Sequence, residues 1–204
     1  MNDITYYGKT ADPLVIVEKN FFDKNELDGI WQELNFLTYK HKLYPPNKTN
    51  SATDSKGKPL KSNKGLFITG LYADPYISNI LTIYNNKINW DYIDFLIQYN
   101  PLFRHLRASN KQSTLLSYYE GGDYYKPHHD LSAMTLLSYF FEEPKQFTGG
   151  NIIFNDFDLE IEIQNNMIVI FPSCYQHEVQ EIKMEGKSFD KKGRYCISQF
   201  ISYE

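Results

Sequence analysis

A mainly β domain with supporting helices, organised as a two-sheet sandwich or jelly roll, is the fold class this sequence predicts. Three observations carry it. After about residue 110 the chain breaks into short apolar runs separated by turns, the spacing of a sandwich or barrel. The 17 tyrosines and 14 phenylalanines favour strands over helices. The first half instead carries apolar stripes at helical spacing, which supply helices to brace the sheets.

In chain order, residues 13–17 are an apolar run bounded by proline and charge and form a first strand. Asp23 followed by Glu26 has the form of a capping box. Leu27, Ile30, Trp31, Leu34 and Leu37 then recur on one face, so a helix spans 24–38. Residues 41–65 turn polar, with Pro45-Pro46 and many Asn, Ser, Lys and Gly. They read either as a mobile surface loop or as a lid over a site. Residues 66–69 form a strand, and Asp74-Pro75 opens a helix to about Asn85. A further helix covers 90–99 and stops at Asn100-Pro101. The β runs follow at 114–119, through the His-His-Asp segment, and at 133–141, 151–154, 159–163, 167–171, 178–182 and 195–202.

Composition narrows the class. At 204 residues, one domain over 1–204 is expected, with 1–109 as helical support and lid and 110–204 as the β core. A net charge of -4 gives no general attraction to nucleic acid or anionic membrane. No apolar run is long enough to span a bilayer, and the polar start does not resemble a signal peptide. Cys174 and Cys196 make no disulfide framework and fit a reducing, cytoplasmic setting.

The chemistry concentrates between Tyr118 and Asp130. In an extended strand alternate side chains share a face, so His128 and Asp130 point one way and His129 the other. An imidazole and a carboxylate so placed can chelate a divalent metal, and His177 is the candidate third ligand. Two histidines and one carboxylate on one face of a metal leave three adjacent positions open, as non-haem Fe(II) oxygenases require. Taken alone, His-x-Asp also arises by chance in solvated turns. His41 and His105 lack ligand-spaced neighbours and read as surface or capping residues. Cys174 reads as a small buried hydrophobe close to the metal.

Further features follow in a fixed order. Gly149-Gly150 opens a strand, Phe171-Pro172-Ser173 precedes His177, and Gly193-Arg194 opens the last strand. With the metal pair, this order resembles the 2-oxoglutarate/Fe(II) dioxygenases, specifically the prolyl 4-hydroxylase-like branch. The resemblance covers 110–204 well and the helical half only in outline. It implies a double-stranded β-helix (jelly roll) core with the metal at its open end. It implies Fe(II) held by His128, Asp130 and His177, with 2-oxoglutarate and O2 as cosubstrates and ascorbate as an accessory. Arg194 matches the partner of the cosubstrate's 5-carboxylate, for which a guanidinium fork is suited. Tyr119 and Tyr139 match tyrosines that contact the cosubstrate, although either can equally be a core residue. The implied reaction hydroxylates a C–H bond and releases succinate and CO2. Its substrate would be a peptidyl or protein residue such as proline, or a free amino acid or other small metabolite.

One departure stands out. Arg194 follows His177 at a greater distance than is usual for the branch, the excess lying in polar residues 183–192. Lys183 is the alternative anchor, but it arrives early and on another strand. Three competing readings remain. A zinc hydrolase can use the same ligand types, but no His-Glu-x-x-His is present. The nucleic-acid demethylase branch carries a second arginine where this chain has Phe200. A non-catalytic binding module could also retain the fold.

Overall fold

The computed structural model describes residues 3–7, 13–39, 42–184 and 191–204. Strands β1 (Asp3–Tyr7) and β2 (Val15–Lys19) precede helix α1 (Lys24–Leu37). Strand β3 (Lys64–Phe67) is followed by α2 (Asn79–Lys87), α3 (Trp90–Tyr99) and α4 (Arg104–Ala108). The second half carries β4 (Lys111–Tyr119), β5 (Tyr125–His128), β6 (Met134–Phe140), β7 (Ile152–Phe154) and β8 (Leu159–Ile161). It ends with β9 (Met167–Pro172), β10 (His177–Val179) and β11 (Arg194–Ser202). No described helix is long and apolar enough to cross a membrane.

The strands form two antiparallel sheets. One has seven strands in the order β1-β2-β9-β6-β11-β4-β3, and the other has four in the order β5-β10-β7-β8. This corrects the expected mainly β, double-stranded β-helix (jelly roll) core. The fold is mixed α/β, and neither sheet closes into a barrel or curls strongly. The pairing shows why: β1 and β3 end the large sheet, β5 and β8 end the small one, and none of the described strands pairs across. The long central strands pair only within their own sheet, β11 matching β4 from Arg194–Tyr119 to Ser202–Lys111.

The large sheet is the middle layer. Ile16, Leu116, Tyr118, Leu136, Phe140, Ile168 and Ile170 face the helices and join Ile30, Leu34, Leu37 and Tyr84 in one core. Their alternate neighbours Val15, Val17, Tyr119, Leu137, Tyr139, Val169 and Phe171 face the small sheet in a second core with Phe154 and Ile161. A strand buried on both faces needs continuous rather than alternating apolarity, which explains Met-Ile-Val-Ile-Phe in β9.

The first helix matches its sequence signals. Asp23 accepts from the Glu26 amide while Glu26 accepts from the Asp23 amide, closing the capping box. Trp31 on its apolar stripe packs edge-on against Tyr195 and Phe140. The helix expected from Asp74 differs. Asp74 caps only a single 3-10 turn, Pro75–Ile77, and Ser78 caps α2 instead. Buried Glu33 takes hydrogen bonds from the Tyr72 and Ser78 hydroxyls and the Ile80 amide, so α1 anchors the start of α2. Strand β1 and helix α4 have no counterpart in the sequence reading. His105 bonds the Tyr203 hydroxyl at the surface, whereas His41 lies outside the described residues.

The polar segment before β3 is folded over its described residues, 42–65. Residues 52–60 make a small hairpin, with a Thr53–Pro59 bridge and Leu60 N–H donating to Ala52. Its base is strapped along β5, where Ser62 N–H donates to Tyr124 O and Lys126 N–H to Leu60 O. The strap covers an edge strand whose backbone groups would otherwise lack partners.

Candidate metal centre

Adjacent strands β5 and β10 place His128 directly opposite His177, with ring centroids 4.3 Å apart. Nδ1 of His128 lies 2.8 Å from Lys126 O, and Nδ1 of His177 lies 3.0 Å from Tyr175 O. A carbonyl can only accept, so Nδ1 carries the proton in both rings and each Nε2 keeps its lone pair for the centre. Tyr125 stacks on His128 at 3.5 Å and 12°, which holds the imidazole plane. Burial, then neighbouring His177, push the His128 pKa down to about 3, so its ring is neutral at pH 7.

Asp130 completes the group. Its Oδ1 lies 3.8 Å from His128 Nε2 and its Oδ2 lies 3.5 Å from His177 Nε2. One ligand atom from each of the three residues falls within 4.8 Å of the others. The route differs from the expected shared strand face, because β5 ends at His128 and Asp130 lies beyond it in irregular backbone. Asp130 N–H donates to Ser173 O at 3.1 Å, and Thr135 Oγ1 donates to Asp130 Oδ2 at 2.7 Å. Ser173 Oγ sits 2.8 Å from Thr135 Oγ1 and 2.6 Å from Ser132 Oγ, extending the network that orients the carboxylate. His129 is exposed on the outer side, and Cys174 is exposed rather than buried.

Arg194 opens β11 opposite Tyr119 and is fully buried. Its Nη1 donates to Gly150 O at 2.6 Å, and its guanidinium carbon lies 4.2 Å from the Tyr119 ring centre and 5.1 Å from that of Tyr139. Its Nε and Nη2 have no hydrogen-bond acceptor among the described residues, nor does the Tyr139 hydroxyl have a partner. Burial raises the pKa of both phenols, so they stay neutral. Gly150 has φ +73°, and a Cβ there would lie 2.3 Å from Ile182 Cδ1. Only glycine lets this backbone approach so closely and present its carbonyl to Arg194. Lys183 is exposed and bridged to Thr148, and it does not line the cavity that holds Arg194.

That inner cavity is lined by the three clustered residues together with Tyr119, Tyr139 and Arg194, all six residues named from the sequence. Beyond Leu115 and Phe200 it gives onto an outer cleft of about 630 Å³, lined by the 49–52 turn, Lys111, His129 and Leu131. Lys61, Tyr125 and Asp130 belong to both. Sequence reasoning missed Lys61. It is buried within a polar segment where Lys42, Lys48, Lys56 and Lys58 are exposed, and only its contacts reveal this. Lys61 Nζ donates to Thr49 O at 3.2 Å and lies 5.5 Å from the Tyr125 ring centre. Burial lowers its pKa to about 8, with Asp130 opposing the shift.

The 2OG-Fe(II) oxygenase superfamily model matches residues 114–202, which contain His128, Asp130, His177, Arg194 and both tyrosines. Over that stretch, which is under half of the chain, the sequence is similar to the 2OG-Fe(II) oxygenase superfamily. An uncharacterized PKHD-type hydroxylase of Synechocystis is 29% identical over 105 residues, 42% of this chain and 34% of that protein. The match thus spans about a third of the relative's length. A Pseudomonas putida prolyl-4-hydroxylase shares the fold with a TM-score of 0.64 at 14% identity, covering 93% of this chain and 92% of that one. The viral collagen prolyl hydroxylase of Paramecium bursaria Chlorella virus-1 gives 0.53 at 14%, covering 92% and 94%.

The residues present fit the metal and cosubstrate that this similarity implies. Two imidazoles with fixed tautomers and one oriented carboxylate suit a divalent metal with open positions. A buried cation with two unpaired nitrogens suits a carboxylate, since an unpaired buried charge is costly.

Proposed function

We propose that this protein hydroxylates a C–H bond of a peptidyl residue, proline being the reading its relatives favour, with 2-oxoglutarate and O2 consumed. His128, Asp130 and His177 would hold Fe(II), and Arg194 would hold the 5-carboxylate of 2-oxoglutarate. The observation that carries this reading is the buried Arg194, with Nε and Nη2 unsatisfied among the described residues, sharing one cavity with the His-Asp-His group. Bound iron and 2-oxoglutarate would supply the oxidising power, with succinate and CO2 as by-products.

The chain's own residues do the placing. Lys126 O and Tyr175 O hold the imidazoles in the ligating tautomer, and Thr135 and Ser173 turn the carboxylate inward. Tyr119 and Tyr139 cover the faces of the guanidinium and keep water from its charge, and the Tyr139 hydroxyl is free to donate to the cosubstrate. Leu115 and Phe200 line both the inner cavity and the outer cleft, on the route a cosubstrate would take.

Residues 1–109 would act as helical support and strap, and 110–204 as the part carrying the site, in one catalytic unit. A free amino acid or small metabolite remains the second reading, favoured by the size of the outer cleft, which suits a small ligand. The experiment is anaerobic titration with Fe(II) and then 2-oxoglutarate, followed by mass-spectrometric screening of peptides and metabolites for gain of one oxygen. Binding of both, with succinate release, supports the reading. A protein that binds neither is a structural relative without the activity.

A further inference from the structure

We infer that the outer cleft recognises a carboxylate on the substrate, and that Lys61 is the residue that binds it. The inference rests on the oxygenase reading above and adds to it a class of substrate, an acidic peptide or other carboxylate-bearing molecule.

The charges around the cleft point this way. The chain as a whole is acidic, with a net charge of -4. Yet the charged side chains lining the outer cleft among the described residues are Lys61, Lys111 and a single carboxylate, Asp130, with His129 beside them. Lys111 is already paired with Glu204. Asp130 faces the two imidazoles and is committed to the metal in the loaded enzyme. Lys61 is then left as a cation only 5% exposed, held by one backbone carbonyl and one aromatic ring. An ammonium has three donors, and Thr49 O occupies one. Burying such a group is costly unless an anion joins it, and low-dielectric walls focus its field on whatever enters.

Position fits the same role. The strap that carries Lys61 is bridged to Tyr125, whose ring stacks on His128. A carboxylate seated on Lys61 would therefore be fixed relative to the metal ligands through a rigid backbone contact. Lys61 lines both cavities, so the substrate's anion would lie at their junction, beside the bond to be oxidised. Nucleic acid fits less well, because the phosphate backbone calls for a broader basic surface than one buried lysine.

The test uses full-length protein loaded with redox-inert Mn(II) and saturated with 2-oxoglutarate. Ligand-observed NMR compares a pool of acetylated pentapeptides carrying Glu beside the central residue with the same pool carrying Gln. The Glu pool should bind at least about tenfold tighter, as a desolvated charge pair does. Lys61→Met should erase the difference, Lys61→Arg should keep most of it, and Lys111→Met should leave it in place. Lys61→Met should melt no lower than wild type, since an apolar group replaces a buried charge. The affinity of Lys61→Met for 2-oxoglutarate should stay within about threefold of wild type. Equal binding of the two pools, or a Glu preference that survives Lys61→Met, overturns the inference. So does a loss of 2-oxoglutarate affinity in that variant, which would assign Lys61 to the cosubstrate. Tighter binding of a single-stranded oligonucleotide than of the Glu pool overturns it as well. Failure of the wild type to bind Mn(II) or 2-oxoglutarate would instead remove the oxygenase reading on which it stands.

Discussion

At the scale of single residues, the centre depends on atoms held by neighbours as much as on the ligands. His128→Ala, Asp130→Ala and His177→Ala should each abolish oxygenation and stoichiometric iron binding, with grossly non-additive effects because the three act as a unit. His129→Ala should keep iron, since its side chain is exposed on the outer side. Equilibrium dialysis with Fe(II) under anaerobic conditions separates the two outcomes. Thr135→Val keeps shape but removes the donor to Asp130 Oδ2. Metal affinity should fall about 10–100-fold, the usual cost of losing such an outer partner, and Thr135→Ser should restore most of it. Arg194→Ala should weaken 2-oxoglutarate binding more than roughly tenfold, from loss of about 2–5 kcal/mol of desolvated charge pairing. Arg194→Lys should recover part of that and Lys183→Ala should cost nothing, as read by 2-oxoglutarate titration. A loss in Lys183→Ala with Arg194→Ala unaltered would transfer the anchor to the other strand.

At the scale of elements, the strap between residues 51 and 62 decides how the cleft is walled. Its hydrogen bonds to β5 join amides of Ser62 and Lys126 to carbonyls across a short gap. In hydrogen exchange without substrate, these amides and that of Leu60 should be protected, while the 54–57 tip exchanges fast. Fast exchange throughout would restore the picture of a loop that orders only on substrate binding. The strand entry at Gly149-Gly150 is the other sensitive element. Gly150→Ala forces a Cβ toward Ile182 at a position with positive φ, so the carbonyl that steadies Arg194 must shift. A drop in melting temperature together with weaker 2-oxoglutarate binding is expected, whereas a stability loss alone would make the glycine purely structural.

At the scale of the whole molecule, the small sheet supplies both histidines and the large sheet supplies Arg194, so a bound metal and cosubstrate would tie the layers together. A ligand at about a hundredfold over its dissociation constant stabilises by about 2.7 kcal/mol. For a chain of this size that raises the melting temperature by about 5–10 °C. Adding Mn(II) to chelator-stripped protein should show this shift, and Asp130→Ala should lose it.

Much of this protein was legible before any coordinates. Local signals acted locally: Asp23 and Glu26 closed their capping box, and α3 stopped at Asn100 before Pro101. The sequence also pointed to His128, Asp130, His177 and Arg194 as candidates, and the fold gathers them around one cavity. Other matters depended on which surfaces met. Periodicity reports that a strand is buried, but it does not report its sheet, so a jelly roll was expected where two separate open sheets formed. The segment that brings Asp130 to the imidazoles is set by Thr135 on β6 and by Ser173 in the turn after β9. Lys61 looked like one more solvated lysine in a polar segment. Only the packing of the strap on β5 buries it beside the cleft, since burial is a property of neighbours and not of the residue itself.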